Sequence, residues 1–396
     1  MKHFLALLLA AFLTISSACA ENITLHTASC FAQADAAAAA YTRLLAQWED
    51  LTGNHVVDAS HASDESWKTG VLMDFAAGNE PDVLFFFACT SDSAYLLNRV
   101  VPIAEIDGAY PELNIPQDPL CAESDGNIYA VPVRSFWEGL LCNTDLFERC
   151  GLPLPTTWDQ LEQAVAVFSK QGIVPISISL SDVPHYLAEF AILACATPEE
   201  YQARPHSMAQ VPQSWIDGMA LIRRLYELGA FPADACATNE NLTSQLFRDK
   251  KAAMQLDGSW FANSLSQEAM DSTVVLPMPR YRHEQAWGTI GGVSMGFYLT
   301  RRAWNNKNRR SPAASLLAYL STGENARELG GYTYTGCLLK SAEALSALPL
   351  YGPIQDQMSQ NARSLWFKLI PDVATGNITA RELWTQVMAL NPFGDS

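Results

Sequence analysis

The run at residues 81–88 (PDVLFFFA) constrains the fold more than any other stretch. A strand that is apolar on both faces has to be covered on both sides, which places it inside a parallel sheet flanked by helices. The residues before it agree. Residues 23–29 alternate and are rich in β-formers. Residues 35–51 set Tyr41, Leu44, Leu45, Trp48 and Leu51 on one helical face and stop at Gly53. Residues 54–60 read as a second strand, and residues 65–77 as a second helix with Trp67, Val71 and Phe75 inward. This βαβαβ order predicts a right-handed, doubly wound sheet, in which ligands sit beyond the carboxyl ends of the strands. Those ends are Ser29-Cys30, residues 60–64 and residues 89–91.

Charge narrows the range of partners. With 25 Lys+Arg against 42 Asp+Glu the formal net charge is −17, so nothing here neutralises phosphates and nucleic acid is excluded as a partner. The length, 396 residues, exceeds one ordinary domain and suits two. Residues 1–20 read as a secretion signal: Lys2 is followed by an apolar run at 4–15 that is too short to span a bilayer. Ala18-Cys19-Ala20 offers an A-x-A cleavage site. Residues 16–19 are also a degenerate lipobox, with Ser16 in place of the usual Leu, which would leave Cys19 acylated. The chain is therefore expected outside the cytoplasm, either free in the periplasm or anchored at the cell surface through Cys19. Beyond Cys19 there are eight cysteines, an even number that permits disulfides in an exported chain. Cys30 and Cys89 each end a strand of the same sheet and are the candidate neighbours; unpaired buried thiols are the alternative. No Cys/His spacing suits zinc, and no P-loop or G-x-G-x-x-G occurs, so neither metal nor cofactor is expected.

Residues 128–164 (IYAVPVRSFWEGLLCNTDLFERCGLPLPTTWDQLEQA) carry the clearest motif order. They read as a strand at 129–133, an irregular aromatic segment at 134–139, a strand at 140–143 and a short helix at 144–150. A Pro-rich turn follows, then a helix whose Thr157 and Gln160 fit a capping box. The order Tyr129, Pro132, Gly139, Leu140, Asn143, Phe147, Gly151, Pro155, Thr157, Trp158 resembles that of extracellular solute-binding proteins of ABC importers, in the branch that includes maltose-binding proteins. Phe247, Lys251, Ala252, Ala253, Met254, Gly258, Ser259 and Trp260 match a second signature, and residues 287–299 (WGTIGGVSMGFYL) match the Gly-Gly turn and returning strand.

The resemblance spans the mature chain. It implies an α/β, two-lobe fold of the type II periplasmic-binding-protein kind, each lobe a mainly parallel sheet flanked by helices, with a ligand cleft at the hinge. Lobe 1 would comprise residues 21–133 plus 286–338, and lobe 2 residues 134–285 plus 339–396. It further implies a monomer that carries a sugar or short oligosaccharide to membrane permease subunits and catalyses nothing.

Candidate ligand-binding residues follow from position and chemistry. Trp67, Trp137, Trp260, Tyr334 and Trp366 lie near strand ends, loops or helix starts, and a flat ring offers an apolar face to the C–H side of a pyranose. Phe136 adjoins Trp137 on the crossing segment. Asp64, Glu65, Arg134 and Asp257 are candidates for hydrogen bonds to hydroxyls. Gly291 and Gly292 suit a place where backbone passes close to a ligand or hinge. The plainer readings are core packing for the tryptophans, helix-start charges for Asp64 and Glu65, and an ion pair across the hinge for Arg134. Residues 292–296 (GVSMG) match the G-x-S-x-G elbow of serine hydrolases, with Ser294 as nucleophile. That elbow requires strand, turn and helix, whereas residues 297–300 continue as strand, and the last histidine, His283, precedes the serine. A hydrolase is thus the alternative, as is the same fold holding a polyamine, a peptide or another small solute.

Overall fold

One long strand joins two sheets and serves two hydrophobic cores. The computed structural model describes residues 22–32, 35–63, 65–123, 125–281, 287–330 and 334–394. The expected signal with Cys19, together with Asp64, Tyr332 and His283, lies outside the described residues, and so does the side chain of Glu65.

In lobe 1, β1 (Thr24–Ala28) pairs in parallel with β2 (His55–Asp58) on one side and β3 (Val83–Phe87) on the other. Helices α1 (Ala38–Thr52) and α2 (Glu65–Ala77) make the crossovers. Val83, Leu84, Phe85 and Phe86 are fully buried, as a two-faced apolar strand requires. Each such side chain contributes roughly 1.5–3 kcal/mol by leaving water.

The strand order is β2-β1-β3-β8-β4-β6-β5, with β4 (Ala130–Asn143) and β8 (Thr289–Leu299) antiparallel to each other. In lobe 2, β5 (Val174–Ser177) runs parallel to β6 (Ala252–Gly258), while β7 (Thr273–Leu276) pairs with β4. A short β9 (Leu350–Tyr351) adds to β8. The parallel strands of each lobe are thus completed by antiparallel strands that pass between the lobes. One core gathers Leu25, Trp48, Phe85, Phe297 and Leu317. The other gathers Leu161, Phe190, Trp215, Trp366 and Trp384.

Thr157 and Gln160 form the expected reciprocal capping box at the start of the helix Trp158–Lys170. Two expectations are corrected. Residues 134–139 are not irregular: β4 runs through them for 14 residues, with bulges between Pro132 and Ser135 absorbing the bend. A 3₁₀ turn, Ser259–Ser264, follows β6 with Gly258 at its cap. Cys30 and Cys89 are not thiol neighbours. Cys30 Sγ lies 3.8 Å from Met295 Sδ, whereas Cys89 adopts a left-handed φ of 60° just beyond β3, which breaks the strand alternation, and the two form no disulfide. Among the described residues no helix is long and apolar enough to cross a membrane.

Gly291 holds the crossing strands together. A Cβ there would stand 2.7 Å from the Phe136 carbonyl oxygen, a backbone atom that cannot swing away. Gly291→Ala is expected to lower stability by about 1–3 kcal/mol, the usual cost of forced overpacking. A urea midpoint equal to that of the parent chain would rule this out.

Candidate functional site

Contacts between the lobes form beyond the carboxyl end of β3, and aromatic rings collect beyond that of β6. Phe136, on β4, lies 6.0 Å from Trp260, which lies 6.0 Å from Tyr186. Tyr186 adjoins His185 at 4.5 Å, and His185 stacks on Phe367 at 4.5 Å and 14°. Pro184 at the first position of the helix Pro184–Cys195 starts the turn that presents His185 and Tyr186. Trp260 follows directly after β6. A Cβ on Gly258 would come within 2.2–2.4 Å of its ring, so the glycine leaves the room into which the indole folds. Phe136, His185, Tyr186, Trp260 and Phe367 form one wall, on the lobe 2 side.

The opposing wall belongs to lobe 1. Trp67 packs 5.4 Å from Phe86 and 6.4 Å from Phe87, and Lys68 Nζ sits 4.7 Å over the Phe87 ring. A buried ion cluster ties the walls together. Asp92, in the short helix α3 (Ser91–Ala94), pairs with Lys68 at 3.4 Å and with Arg363 at 3.3 Å. Arg363 comes from the helix Gln360–Thr375 of lobe 2, and both it and Asp92 are under a tenth exposed. Beside them, Gln357 Nε2 donates to the Cys89 carbonyl at 3.1 Å.

Beneath the rings lies a set of buried polar groups. Glu138 Oε2, Glu189 Oε2, Ser259 Oγ and His185 Nδ1 have no hydrogen-bond partner among the described residues. Groups buried in this way ordinarily find partners. Burial raises the Glu138 carboxyl well above the usual range, and Glu189, Asp356 and Asp257 reinforce it. Asp257 is pushed up to about 8, chiefly by burial and then by Glu240, against the hydrogen bonds it accepts from Gly258 and Gln255. A protonated carboxyl both donates and accepts, which matches a hydroxyl. His185 is pushed down to about 3 by burial and by the nearby Arg363 and Lys68, so it is neutral.

The sign of the resulting pH dependence is fixed. With a folded pKa above its ordinary 3.8, Asp257 keeps a proton that the unfolded chain has released, so its contribution to stability is lost as pH rises from about 4 to about 8. Glu138 and Glu240, which face it, add to the same trend. Asp257→Asn is expected to flatten the fall of melting temperature across that window; an unchanged slope would assign the trend to other groups.

The structure brings Trp260 against Phe136, and Asp257 ends β6 three residues before Trp260. Trp67 stands on the opposite wall, nine-tenths buried against Phe86 and Phe87. Gly292 pairs with Phe136 in the register and has open space around its Cα, at φ 149°. Two expectations fail. Trp366 is fully buried beside Trp384, 5.6 Å away, and is core. Arg134 makes a two-pronged ion pair with Asp35, stacks 4.7 Å over Phe31 and donates to the Leu329 carbonyl, so its guanidinium is committed within lobe 1. Trp137 and Tyr334 separate from the other rings. They lie 5.6 Å apart and line a groove of about 810 Å³ between the helices Gly323–Gly330 and Gly336–Ser346. Ser294 lies within β8, which continues as strand to Leu299, so the elbow geometry is not there.

Sequence reasoning missed Lys68, Asp92, His185, Tyr186, Arg363 and Phe367. One signal existed: Arg363 and Phe367 are four residues apart on one helix, the spacing that brings two side chains to the same face.

The chain matches the family model described as "bacterial extracellular solute-binding protein" over residues 32–326. A melibiose/raffinose/stachyose-binding protein of Bacillus subtilis is 22% identical over 220 residues, which are 52% of this chain and 50% of that relative, so the match spans half the relative's length. Among solved structures, a chitin oligosaccharide binding protein superposes with a TM-score of 0.76 at 16% identity, covering 89% of this chain and 94% of the other. A sugar transporter of Bacillus licheniformis in complex with stachyose superposes with a TM-score of 0.68 at 14% identity, covering 94% and 99%. At such identities the superpositions establish the two-lobe α/β fold.

Proposed function

Because the chain belongs to the family of bacterial extracellular solute-binding proteins, we propose that it is the solute-binding subunit of an ABC importer and captures a sugar or short oligosaccharide between its lobes. The ring wall of Phe136, Trp260 and Tyr186, with buried polar groups that have no hydrogen-bond partner among the described residues, carries this reading. Rings cover the apolar faces of a pyranose while Glu138, Asp257, Ser259 and His185 take its hydroxyls. The sugars named for the relatives favour the same class.

No bond is made or broken. Lobe 1 (residues 21–133 plus 286–338) and lobe 2 (residues 134–285 plus 339–396) rotate about β4 and β8, and the closed form, with Asp92 on Arg363, is what the membrane permease subunits recognise. The chain works as a monomer, exported and either free or anchored through Cys19. Gly291 and Gly292, on β8, complete the surroundings of the guest.

Calorimetric titration and thermal shift against melibiose, raffinose, stachyose and chito-oligosaccharides test the proposal. Saturable binding with a raised melting temperature for at least one of them is expected. A flat response across the panel would refute the sugar reading.

A further inference from the structure

Glu189 is a carboxyl in an otherwise apolar stretch of helix. The helix Pro184–Cys195 buries Leu187, Ala188, Phe190, Ala191 and Ile192, and Glu189 among them is fully buried. A polar group in that setting is costly unless it is bonded. One oxygen is bonded: Glu189 Oε1 accepts from the Gln355 N–H at 2.8 Å. The other, Oε2, has no hydrogen-bond partner among the described residues. Burial raises the carboxyl well above its usual range, which favours the neutral acid.

The two segments joined by this bond carry different parts of the site. On the same helix, one turn before Glu189, stand His185 and Tyr186 of the ring wall. Gln355 opens the 3₁₀ turn Gln355–Gln357, and its neighbours Ile354 and Met358 are fully buried. This turn reaches lobe 1 directly, through Gln357 Nε2 on the Cys89 carbonyl at 3.1 Å. It also leads into the helix Gln360–Thr375, whose Phe367 stacks on His185 and whose Arg363 pairs with Asp92. Cys89 and Asp92 are three positions apart, so both contacts land on one short stretch of lobe 1.

We propose that Glu189 is a positioning residue for lobe closure: by fastening the 355–357 turn to the helix of His185 and Tyr186, it fixes where lobe 2 meets lobe 1 around a guest lying on the rings. This rests on the reading of the chain as a two-lobe carrier that closes on its guest. The apolar packing of Ile354 and Met358 is non-directional. The hydrogen bond to Glu189 is directional, so it sets the orientation of the turn and with it the reach of Gln357. A turn held in advance loses no further freedom when the lobes meet.

Variants of the full chain test this. Glu189→Met fills the same space but accepts no hydrogen bond, and Glu189→Gln keeps both the acceptor and the neutral shape. Gln357→Ala truncates an exposed side chain, so it reports on the contact without touching the core. Small-angle scattering without ligand is expected to give a larger radius of gyration for Glu189→Met and Gln357→Ala, and the parent value for Glu189→Gln. With a sugar found by the titrations above, Gln357→Ala should weaken binding by about threefold and Glu189→Met by roughly tenfold, with the double variant no weaker than Glu189→Met alone. Additive losses would mean that Glu189 acts on the guest and not through the turn, and would overturn the proposal. So would parent-like scattering of Glu189→Met, or Glu189→Gln behaving like Glu189→Met. The scattering needs no sugar, so its failure counts against this inference alone, whereas a flat titration counts against the sugar reading.

Discussion

Asp92→Ala is expected to open the unliganded chain and weaken ligand binding by tenfold or more. Asp92 pairs with both Lys68 and Arg363, and its pair with Arg363 is buried on both sides. Removing one partner of a buried pair costs about 3–5 kcal/mol, because a cation is left desolvated. Two lobes offer a cheaper outcome than unfolding. Separation returns Arg363 and Lys68 to water, so the penalty appears as a shift toward the open form. A ligand then has to overcome that shift, and its apparent affinity falls by the fraction of closed molecules lost. Small-angle scattering should show a larger radius of gyration for the variant without ligand, with melting temperature falling less than the full penalty implies. A double-mutant cycle with Arg363→Ala should give a coupling of about 0.5–3 kcal/mol, as expected for residues in contact. Additive effects, or scattering identical to the parent, would show that the pair does not hold the lobes.

Trp260→Ala is the second large effect, and it tests the ring wall. The indole stands between Phe136 and Tyr186 and is only half-buried, so its loss removes binding surface more than core. A central aromatic contact of this kind contributes about 2 kcal/mol or more, roughly a thirtyfold change in dissociation constant. The unfolding midpoint should move little. Unchanged affinity would take Trp260 out of the site. A collapse in stability would make it a core residue.

Much of this arrangement was readable from residue order. The double-faced apolar run at residues 81–88 announced a sheet with helices on both sides, and Thr157 with Gln160 marked a helix start to the residue. Gly258-Ser259-Trp260 after an apolar strand placed an aromatic at a strand end. Two things were not readable. The side of β4 on which Phe136 and Trp137 point cannot be counted from Tyr129, because the bulges near Pro132 and Ser135 reset the alternation. The Lys68–Asp92–Arg363 cluster joins residues up to 271 positions apart, and no local periodicity encodes such a contact. Arg134 shows the converse failure: a charge on the crossing segment looked available, and Asp35 had already claimed it.

The pairing of β4 with β8 continues through the crossing, from Ala130 opposite Tyr298 to Trp137 opposite Gly291. Sliding one lobe along the other would break that ladder rung by rung, whereas bending and twisting it keep every rung. The molecule therefore moves like a caliper whose jaws meet at the same teeth each time. Such a device gauges its guest: a molecule too long for the jaws cannot be admitted by shifting them sideways, so size discrimination is set by how the two strands are joined as well as by the groups that touch the guest.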